Sequence, residues 1–289
     1  MDIENVQRGL FQNQQLEDEL FDKGYIKVPF FSEPEMEKLK SFYYGVHPDK
    51  KIDLEGAMNG IHMTTWSGNA GYKRMVASFI RNVFDKSISR VFKNHRHLNH
   101  VFIAKEGGAK TEFNIHQDWS VVDESEHYSV NIWVPLHDVN EENGALWILP
   151  GSHRLDQPIR GAGYLFPDYI SEMDQLRDRV RCVDVKEGEA LIFFHSTIHG
   201  SPPNNSNERR AVAGCTVINE IAPIRTYFQR DESSPLMVFE PKDDFMFDYR
   251  DIMNDAVKTP PLGKLIEERP SYKTKKIELD VLLELSESV

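Results

Sequence analysis

Two histidines and an aspartate are the residues of this chain whose types and spacing are best suited to hold a metal ion. His116 and Asp118 lie two positions apart in a His-Gln-Asp triplet, and alternate residues of an extended strand point to the same face. An imidazole nitrogen and a carboxylate oxygen can therefore face one ion. His199 can supply a third ligand, because it follows the apolar run 190–194 where a strand gives way to a turn of Gly, Ser and Pro.

This ligand set predicts a particular metal chemistry. Two histidines and one carboxylate on one face of a metal leave the opposite face open, which is the arrangement that non-haem Fe(II) oxygenases use. Chance is an alternative, because the chain has 11 histidines and a His beside an Asp commonly forms a hydrogen-bonded pair. Zn(II) with a water in the open position is a further alternative, as in a hydrolase or a cupin-type enzyme.

Composition narrows the class of protein. The chain has 289 residues with 40% hydrophobic content, which suffices for the core of one domain. Its net charge of -12, from 34 Lys and Arg against 46 Asp and Glu, disfavours nucleic acid and anionic membranes as partners. Cys182 and Cys215 show no C-x-x-C spacing, which predicts neither a disulfide framework nor a zinc–thiolate site. The polar amino terminus resembles no signal peptide, so we expect a cytoplasmic protein; the oligomeric state is not predicted.

The elements that must position the three ligands are mainly strands behind a group of helices. Ser32 and Glu35 have the S-x-x-E spacing of a capping box, which predicts a helix through about Tyr44. Apolar spacing predicts a second helix over 72–93. Strands are predicted within 128–136, 144–153, 190–194 and 210–218. The first two are joined by an acidic turn that ends in Asn-Gly, which predicts that they are neighbouring antiparallel strands.

Short strands with helices towards the front favour a mainly β protein with flanking helices, of the α+β class, with a double-sheet or jelly-roll core. We interpret residues 1–289 as a single domain with its core at about 20–220. The segment at about 154–180, with a helix predicted at 168–178, is interpreted as a lid insertion between core strands. The proline-punctuated segment at about 225–289 predicts a wrapping extension rather than a second core.

An ordered series of short motifs carries a resemblance to a known family. The motifs lie at 24–32, 116–118, 142–146, 150–153, 199–201 and 209–211. In this order the chain resembles the phytanoyl-CoA dioxygenase family of Fe(II)- and 2-oxoglutarate-dependent oxygenases, over roughly residues 20–220. The resemblance implies a double-stranded β-helix (cupin-like) core, Fe(II) held by His116, Asp118 and His199, and 2-oxoglutarate and dioxygen as cosubstrates.

The resemblance also implies residues for 2-oxoglutarate. The far carboxylate of this cosubstrate needs a fixed cation, and arginine offers a planar two-pronged match that lysine does not. The family's arginine lies two residues before a small residue at the start of the last core strand, which selects Arg209 through Ala211. The interval from the distal histidine is one residue shorter than in many relatives, so Arg210 stays an alternative. Three further positions where the family contacts or walls the pocket are Gln117, Trp133 and Ser201.

The reaction implied by the resemblance is hydroxylation of an unactivated C–H bond in a small-molecule substrate. Halogenating relatives replace the carboxylate ligand with a small residue, and Asp118 is present here. An acidic chain without an evident cluster for the phosphates of coenzyme A favours a small polar metabolite, an amino acid or a peptide. An acyl-CoA, the substrate of the family's namesake, is the alternative. A degenerate fold that only binds its ligand is disfavoured, because every metal position is filled.

Overall fold

A computed structural model describes residues 6–47, 57–108, 110–165, 173–243, 245–248, 263–274 and 278–287. The helices in these segments are α1 (Gln14–Lys23), α2 (Glu33–Val46), α3 (Ala70–Val91), α4 (Met173–Arg177), α5 (Phe245–Asp248) and α6 (Leu279–Glu287). The strands from the first half of the chain are β1 (Tyr25–Pro29), β2 (Ala57–Met58), β3 (Ile61–Met63), β4 (His95–Lys105), β5 (Phe113–His116), β6 (Ser129–Pro135) and β7 (Leu146–Ile148). The later strands are β8 (Ala162–Gly163), β9 (Arg181–Val183), β10 (Glu189–Phe194), β11 (His199–Ser201), β12 (Arg210–Asn219), β13 (Thr226–Gln229), β14 (Leu236–Glu240) and β15 (Lys264–Arg269).

Two antiparallel sheets form the core. The larger has the strand order β1-β10-β6-β12-β4-β3-β2, and the smaller has the order β5-β11-β7-β9. Side chains alternate across the central strands of the large sheet. One set, which includes Trp133, Leu191 and Val212, packs between the sheets against Leu146 and Ile148 of β7. The predicted mainly β fold with a jelly-roll core is confirmed.

The other face of the large sheet is covered by the amino-terminal helices. Both helices predicted from the sequence are present. Ser32 donates from its backbone N–H and its hydroxyl to the Glu35 carboxylate, over 2.8 and 2.7 Å, and α2 begins at this capping box. The carboxamide oxygen of Asn69 accepts from the backbone N–H of Tyr72 at 3.0 Å and caps the start of α3. These helices pack against the residues of β6, β10 and β12 that face away from the small sheet.

The prediction that 128–136 and 144–153 contain neighbouring antiparallel strands is wrong. β6 pairs with β10 and β12 in the large sheet, whereas β7 pairs with β11 and β9 in the small sheet. The segment between them, 136–145, is too long for a tight hairpin and crosses from one sheet to the other. Trp133 of β6 and Leu146 of β7 both belong to the apolar cluster between the sheets. The two strands therefore contact each other through side chains rather than through backbone hydrogen bonds.

Additional elements surround this core. β15, β14, β13 and β8 form a third sheet, and Leu282 of α6 packs in one cluster with Ile115 and Ile198. In the segment interpreted as a lid, residues 166–172 lie outside the described residues, and α4 falls within the helix predicted at 168–178. The division into core, lid and extension stays a prediction. In the described part of the chain, no helix has both the length and the apolar character needed to cross a bilayer.

Candidate metal centre

The pairing of β5 with β11 brings the three proposed metal ligands together. His116, the last residue of β5, lies opposite His199, the first residue of β11, and their ring centroids are 4.3 Å apart. Nε2 of His116 lies 3.5 Å from Oδ1 of Asp118, and Nε2 of His199 lies 3.7 Å from Oδ2. One ligand atom from each residue lies within 4.8 Å of the other two. This spacing allows all three side chains to contact a single ion.

Backbone carbonyls determine which nitrogen each histidine offers. Nδ1 of His116 lies 2.8 Å from the carbonyl oxygen of Asn114, and Nδ1 of His199 lies 2.9 Å from that of Thr197. Since a carbonyl oxygen only accepts, each Nδ1 carries the proton and each Nε2 presents a lone pair towards Asp118. Burial, followed by the nearby His116, lowers the pKa of His199 to about 4. His199 is therefore neutral at pH 7, which is the form that binds metals.

Three hydrogen bonds hold Asp118 in place. Nδ2 of Asn131 donates to its Oδ2 at 2.6 Å. The backbone N–H of Asp118 donates to the carbonyl of His195 at 3.0 Å, and its own carbonyl accepts from Nε of Arg160 at 2.7 Å. Burial acts to raise the pKa of Asp118, but the positive charge that His199 and His116 carry when protonated holds it far below its ordinary value. The carboxylate is therefore ionised and oriented before any ion binds.

Arg160 is supported by a buried ion pair that no sequence motif indicates. Its Nη1 and Nη2 donate to the Glu124 carboxylate over 2.8 and 2.6 Å, and the two side chains are 0% and 2% exposed. Nη1 also donates to the carbonyl of Gln157. The partners are 36 residues apart in irregular segments, so local spacing gives no signal for the pair. Arg160 thus connects the segment after residue 154 to the backbone of Asp118.

The two neighbouring arginines, Arg209 and Arg210, have opposite surroundings. Arg209 pairs with Glu106, with Nη2 and Oε1 2.8 Å apart. Arg210 is 2% exposed, and its guanidinium carbon lies 5.2 Å from the ring centroid of Trp133. Its Nε and Nη1 are buried without a hydrogen-bond partner among the described residues. Burial lowers the pKa of Arg210 to about 9, so the side chain is still a cation at pH 7.

Strand parity explains this difference. Arg210 is the first residue of β12, and Val212, two positions later, packs beside Trp133 between the sheets. Arg210 therefore points into the same interior, where it lies opposite Lys105 of β4. Lys105 is buried, and its Nζ donates to the carbonyls of Pro202 at 2.6 Å and Ser201 at 3.3 Å. The interior thus holds a guanidinium that lacks an anionic partner in the described chain.

The remaining residues predicted for the cosubstrate pocket occupy different places. Trp133 lies beside Arg210. Ser201 is buried on β11, and its carbonyl accepts from Lys105. The amide nitrogen of Gln117 donates to the carbonyl of Ser196, in the segment between β10 and β11. Contacts of Trp133, Ser201 and Gln117 with a cosubstrate stay predictions. Asn131 and Arg160, which hold Asp118, were not predicted as site residues.

Comparison with known proteins identifies a family. The model of the family described as phytanoyl-CoA dioxygenase matches residues 22–212. Phytanoyl-CoA dioxygenase domain-containing protein 1 from Danio rerio is 31% identical over 122 residues, which cover 40% of this chain and 42% of that protein. The matched stretches span between 38% and 51% of the lengths of the curated relatives.

Two solved structures share the fold. The epimerase SnoN, in complex with Fe3+, alpha ketoglutarate and nogalamycin RO, is 16% identical with a TM-score of 0.54, over 91% of this chain and 96% of that one. HygX from Streptomyces hygroscopicus, with nickel, 2-oxoglutarate and hygromycin B bound, is 15% identical with a TM-score of 0.51, over 71% of this chain and 86% of that one. At these identities the likeness shows a common fold.

Proposed function

Because the chain belongs to the phytanoyl-CoA dioxygenase family, whose model matches residues 22–212 of 289, we propose that it is an Fe(II)- and 2-oxoglutarate-dependent oxygenase. The observation that carries the proposal is the combination of the His/Asp/His set with a buried guanidinium, that of Arg210, which has no anionic partner among the described residues. The two are connected by packing. The ring centroid of Phe193 lies 4.7 Å from that of His199, and Phe193 belongs to the same apolar cluster as Trp133, which contacts Arg210.

His116, Asp118 and His199 would hold the iron. Their donor set of two neutral imidazoles and an ionised carboxylate fits Fe(II) and leaves one face of the ion open. When bound, the iron with 2-oxoglutarate supplies the activation of dioxygen that oxidation of a C–H bond requires. The chain itself contributes the fixed tautomers of both histidines and the orientation of Asp118 by Asn131.

We assign the far carboxylate of 2-oxoglutarate to Arg210. A carboxylate on this residue would give acceptors to Nε and Nη1, which are buried without partners in the described segments, and would form a charge-assisted pair. The buried side chain of Lys105, which lies opposite Arg210 on β4, adds a second group that donates hydrogen bonds. Arg209, which the family spacing selects, already has an anionic partner in Glu106. It also precedes the first residue of β12, which is Arg210. The resemblance leaves Arg210 open as the alternative, because the interval from His199 to Arg209 is one residue shorter than in many relatives.

The substrate that we propose is a small polar metabolite, an amino acid or a peptide. The net charge of -12 supports this class, because it disfavours a polyanionic ligand such as coenzyme A. An acyl-CoA is the second candidate, favoured by apolar side chains near the metal ligands. The ring centroid of Phe113 lies 4.8 Å from that of His116, and Phe113, Met63 and Trp119 are partly buried side chains that pack against one apolar cluster. Such a group would accommodate an acyl chain.

A turnover experiment tests the proposal. The purified chain is incubated with Fe(II), 2-oxoglutarate and oxygen in two separate mixtures. One mixture also contains a cell metabolite extract, and the other contains a panel of acyl-CoA thioesters. We expect succinate to form together with a product heavier by one oxygen, and the active mixture identifies the substrate class. Asp118→Ala and His116→Ala should abolish this turnover. Turnover that survives either substitution, or activity with Zn(II) that needs no 2-oxoglutarate, would overturn the proposal.

A further inference from the structure

A second group of metal-binding residues lies on the opposite face of the large sheet. His97 and His100 of β4 and Cys215 of β12 place one ligand atom each within 4.8 Å of the others. The three residues are 5%, 3% and 4% exposed. Cys215 packs in the cluster between the large sheet and the amino-terminal helices. Arg210 lies five positions earlier on β12, so its side chain points to the opposite face, between the two sheets. The group is therefore separate from the proposed iron centre.

A β-bulge brings the two histidines to one face. In a regular strand, residues three positions apart point to opposite faces. The pairing of β12 with β4 shifts register between Gly214 and Thr216, so that Cys215 alone lies opposite two residues of β4, Asn99 and His100. At this point Asn99 has a φ of 56°, in the left-handed region that a bulge residue adopts. The irregularity therefore turns His100 towards His97 and Cys215.

The contacts of His97 match those of a metal ligand with a supporting carboxylate. Its Nδ1 lies 2.8 Å from Nε2 of His100, and its Nε2 lies 3.3 Å from Oδ1 of Asp85 on α3. A carboxylate only accepts, so Nε2 carries the proton and Nδ1 presents its lone pair. Metal-bound histidines almost always donate their other nitrogen to a carboxylate or carbonyl in this way. Asp85 thus fixes the tautomer of His97 that a metal requires.

We propose that His97, His100 and Cys215 bind a Zn(II) ion. Zn(II) takes both Cys thiolate and His nitrogen as ligands in proteins, with bonds of about 2.0–2.3 Å. In a tetrahedral site such bonds place ligand atoms roughly 3.3–3.6 Å apart. This separation lies between the 2.8 Å of the two histidine nitrogens and the 4.8 Å limit of the group. Small side-chain movements would therefore form the site, with a fourth position left for solvent.

Binding of zinc changes the protonation of two of the three ligands. On binding, the Cys215 thiol releases its proton to solvent, and the proton of His100 moves from Nε2 to Nδ1; the zinc stays divalent. The Cys215 thiolate offsets one of the two positive charges of the zinc ion. The Asp85 carboxylate provides a second negative charge. The positive charge of Arg81, which acts on all three ligands, disfavours a bound cation. The ion would connect β4, β12 and, through Asp85, α3.

Cobalt is the probe that separates this site from the iron centre. Chelator-treated protein is titrated anaerobically with Co(II), and sulfur-to-cobalt charge-transfer absorption is followed. Only a site with a thiolate gives this absorption, and the His116 centre has none. We expect the absorption to appear within two equivalents of Co(II), because the His116 centre also takes up the ion without giving this band, and we expect Zn(II) to abolish it. No such absorption in the folded wild-type chain would overturn the proposal.

Variants identify the sulfur. The chain has two cysteines, and both are free, so Cys182→Ser is a matched control for Cys215→Ser. The absorption should persist in Cys182→Ser and in His116→Ala and disappear in Cys215→Ser. Absorption that is lost in Cys182→Ser instead, or that survives Cys215→Ser, would show that the proposal is wrong.

A surface substitution covers the case in which Cys215→Ser does not fold. Asp85→Asn changes a carboxylate that is 71% exposed, so the fold should be preserved. We expect its affinity for Co(II), followed at the sulfur-to-cobalt band in competition with a chelator, to fall about 10- to 100-fold, because an outer carboxylate orients its histidine. An unchanged affinity in folded Asp85→Asn would contradict the site as described.

Discussion

Replacing Arg210 with methionine tests whether this buried cation is placed there to bind an anion. The fall of its pKa from 12.5 to about 9 corresponds to a penalty on the order of 5 kcal/mol for holding the group charged, at about 1.4 kcal/mol per tenfold change. At pH 7 the guanidinium is charged in the folded and the unfolded chain, so the penalty falls on the folded state. An apolar side chain in place of such a charge stabilises a protein by about 1–4 kcal/mol. Arg210→Met should therefore raise the Tm of the ligand-free protein by about 2–7 °C.

The response to 2-oxoglutarate should change in the opposite direction. Loss of one partner from a buried charge pair costs about 3–5 kcal/mol, which is roughly 10²- to 4 × 10³-fold in Kd. A ligand at 100 times its Kd stabilises by about 2.7 kcal/mol, and this gain should vanish in Arg210→Met. The assay is thermal unfolding with anaerobic Fe(II), with and without 2-oxoglutarate. Arg209→Met is the matched control, because Arg209 pairs with Glu106, and it should keep the response.

Two results would refute this reasoning. One is an Arg210→Met protein that is less stable than wild type without ligand and still gains stability from 2-oxoglutarate. The other is loss of that gain in Arg209→Met alone. Either result would mean that the cosubstrate carboxylate is not held by Arg210, and the second would restore the residue that the family spacing selects.

Three further substitutions test other parts of the account. Asn131→Ala removes the 2.6 Å hydrogen bond to the metal-binding carboxylate and should weaken Fe(II) binding about 10- to 100-fold in a metal titration; unchanged affinity would contradict the role of this contact. Glu124→Ala leaves Arg160 buried without its carboxylate and should lower the free energy of unfolding in urea by about 3–5 kcal/mol; a loss below about 1 kcal/mol would show that the pair is unimportant. For Glu35, burial acts to raise the pKa, but hydrogen bonds within the capping box lower it to about 2. Its contribution is therefore complete above the unfolded value of about 4.5 and is lost as the pH falls towards 2. Glu35→Gln should lower stability by about 1 kcal/mol at pH 7, with a difference from wild type that shrinks below pH 4.5; a difference independent of pH would contradict this assignment.

The parts of the fold that depend on local sequence could be predicted. The capping box of Ser32 and Glu35 sets the start of α2 through contacts three residues apart. The alternating and apolar runs of β6, β10 and β12 predict strands because each is buried on both faces. The spacing of His116 and Asp118 likewise shows that two ligands can share a face.

The parts that depend on long-range packing could not be predicted. Local turn residues do not show that the chain crosses between sheets after β6, because this depends on how two apolar faces meet. The ion pair of Arg160 with Glu124 and the group around Cys215 join segments far apart in the chain. Arg209 and Arg210 are the same residue type at adjacent positions, so the sequence does not show which one points between the sheets. This depends on where β12 begins.

Anaerobic addition of Fe(II) and 2-oxoglutarate to the metal-free protein tests the central claim most directly. If His116, Asp118 and His199 hold iron with 2-oxoglutarate beside it, a visible charge-transfer band should appear with one equivalent of each, and His116→Ala should lack it. A well-folded wild-type protein that gives no band, or a band unchanged in His116→Ala, would contradict the claim.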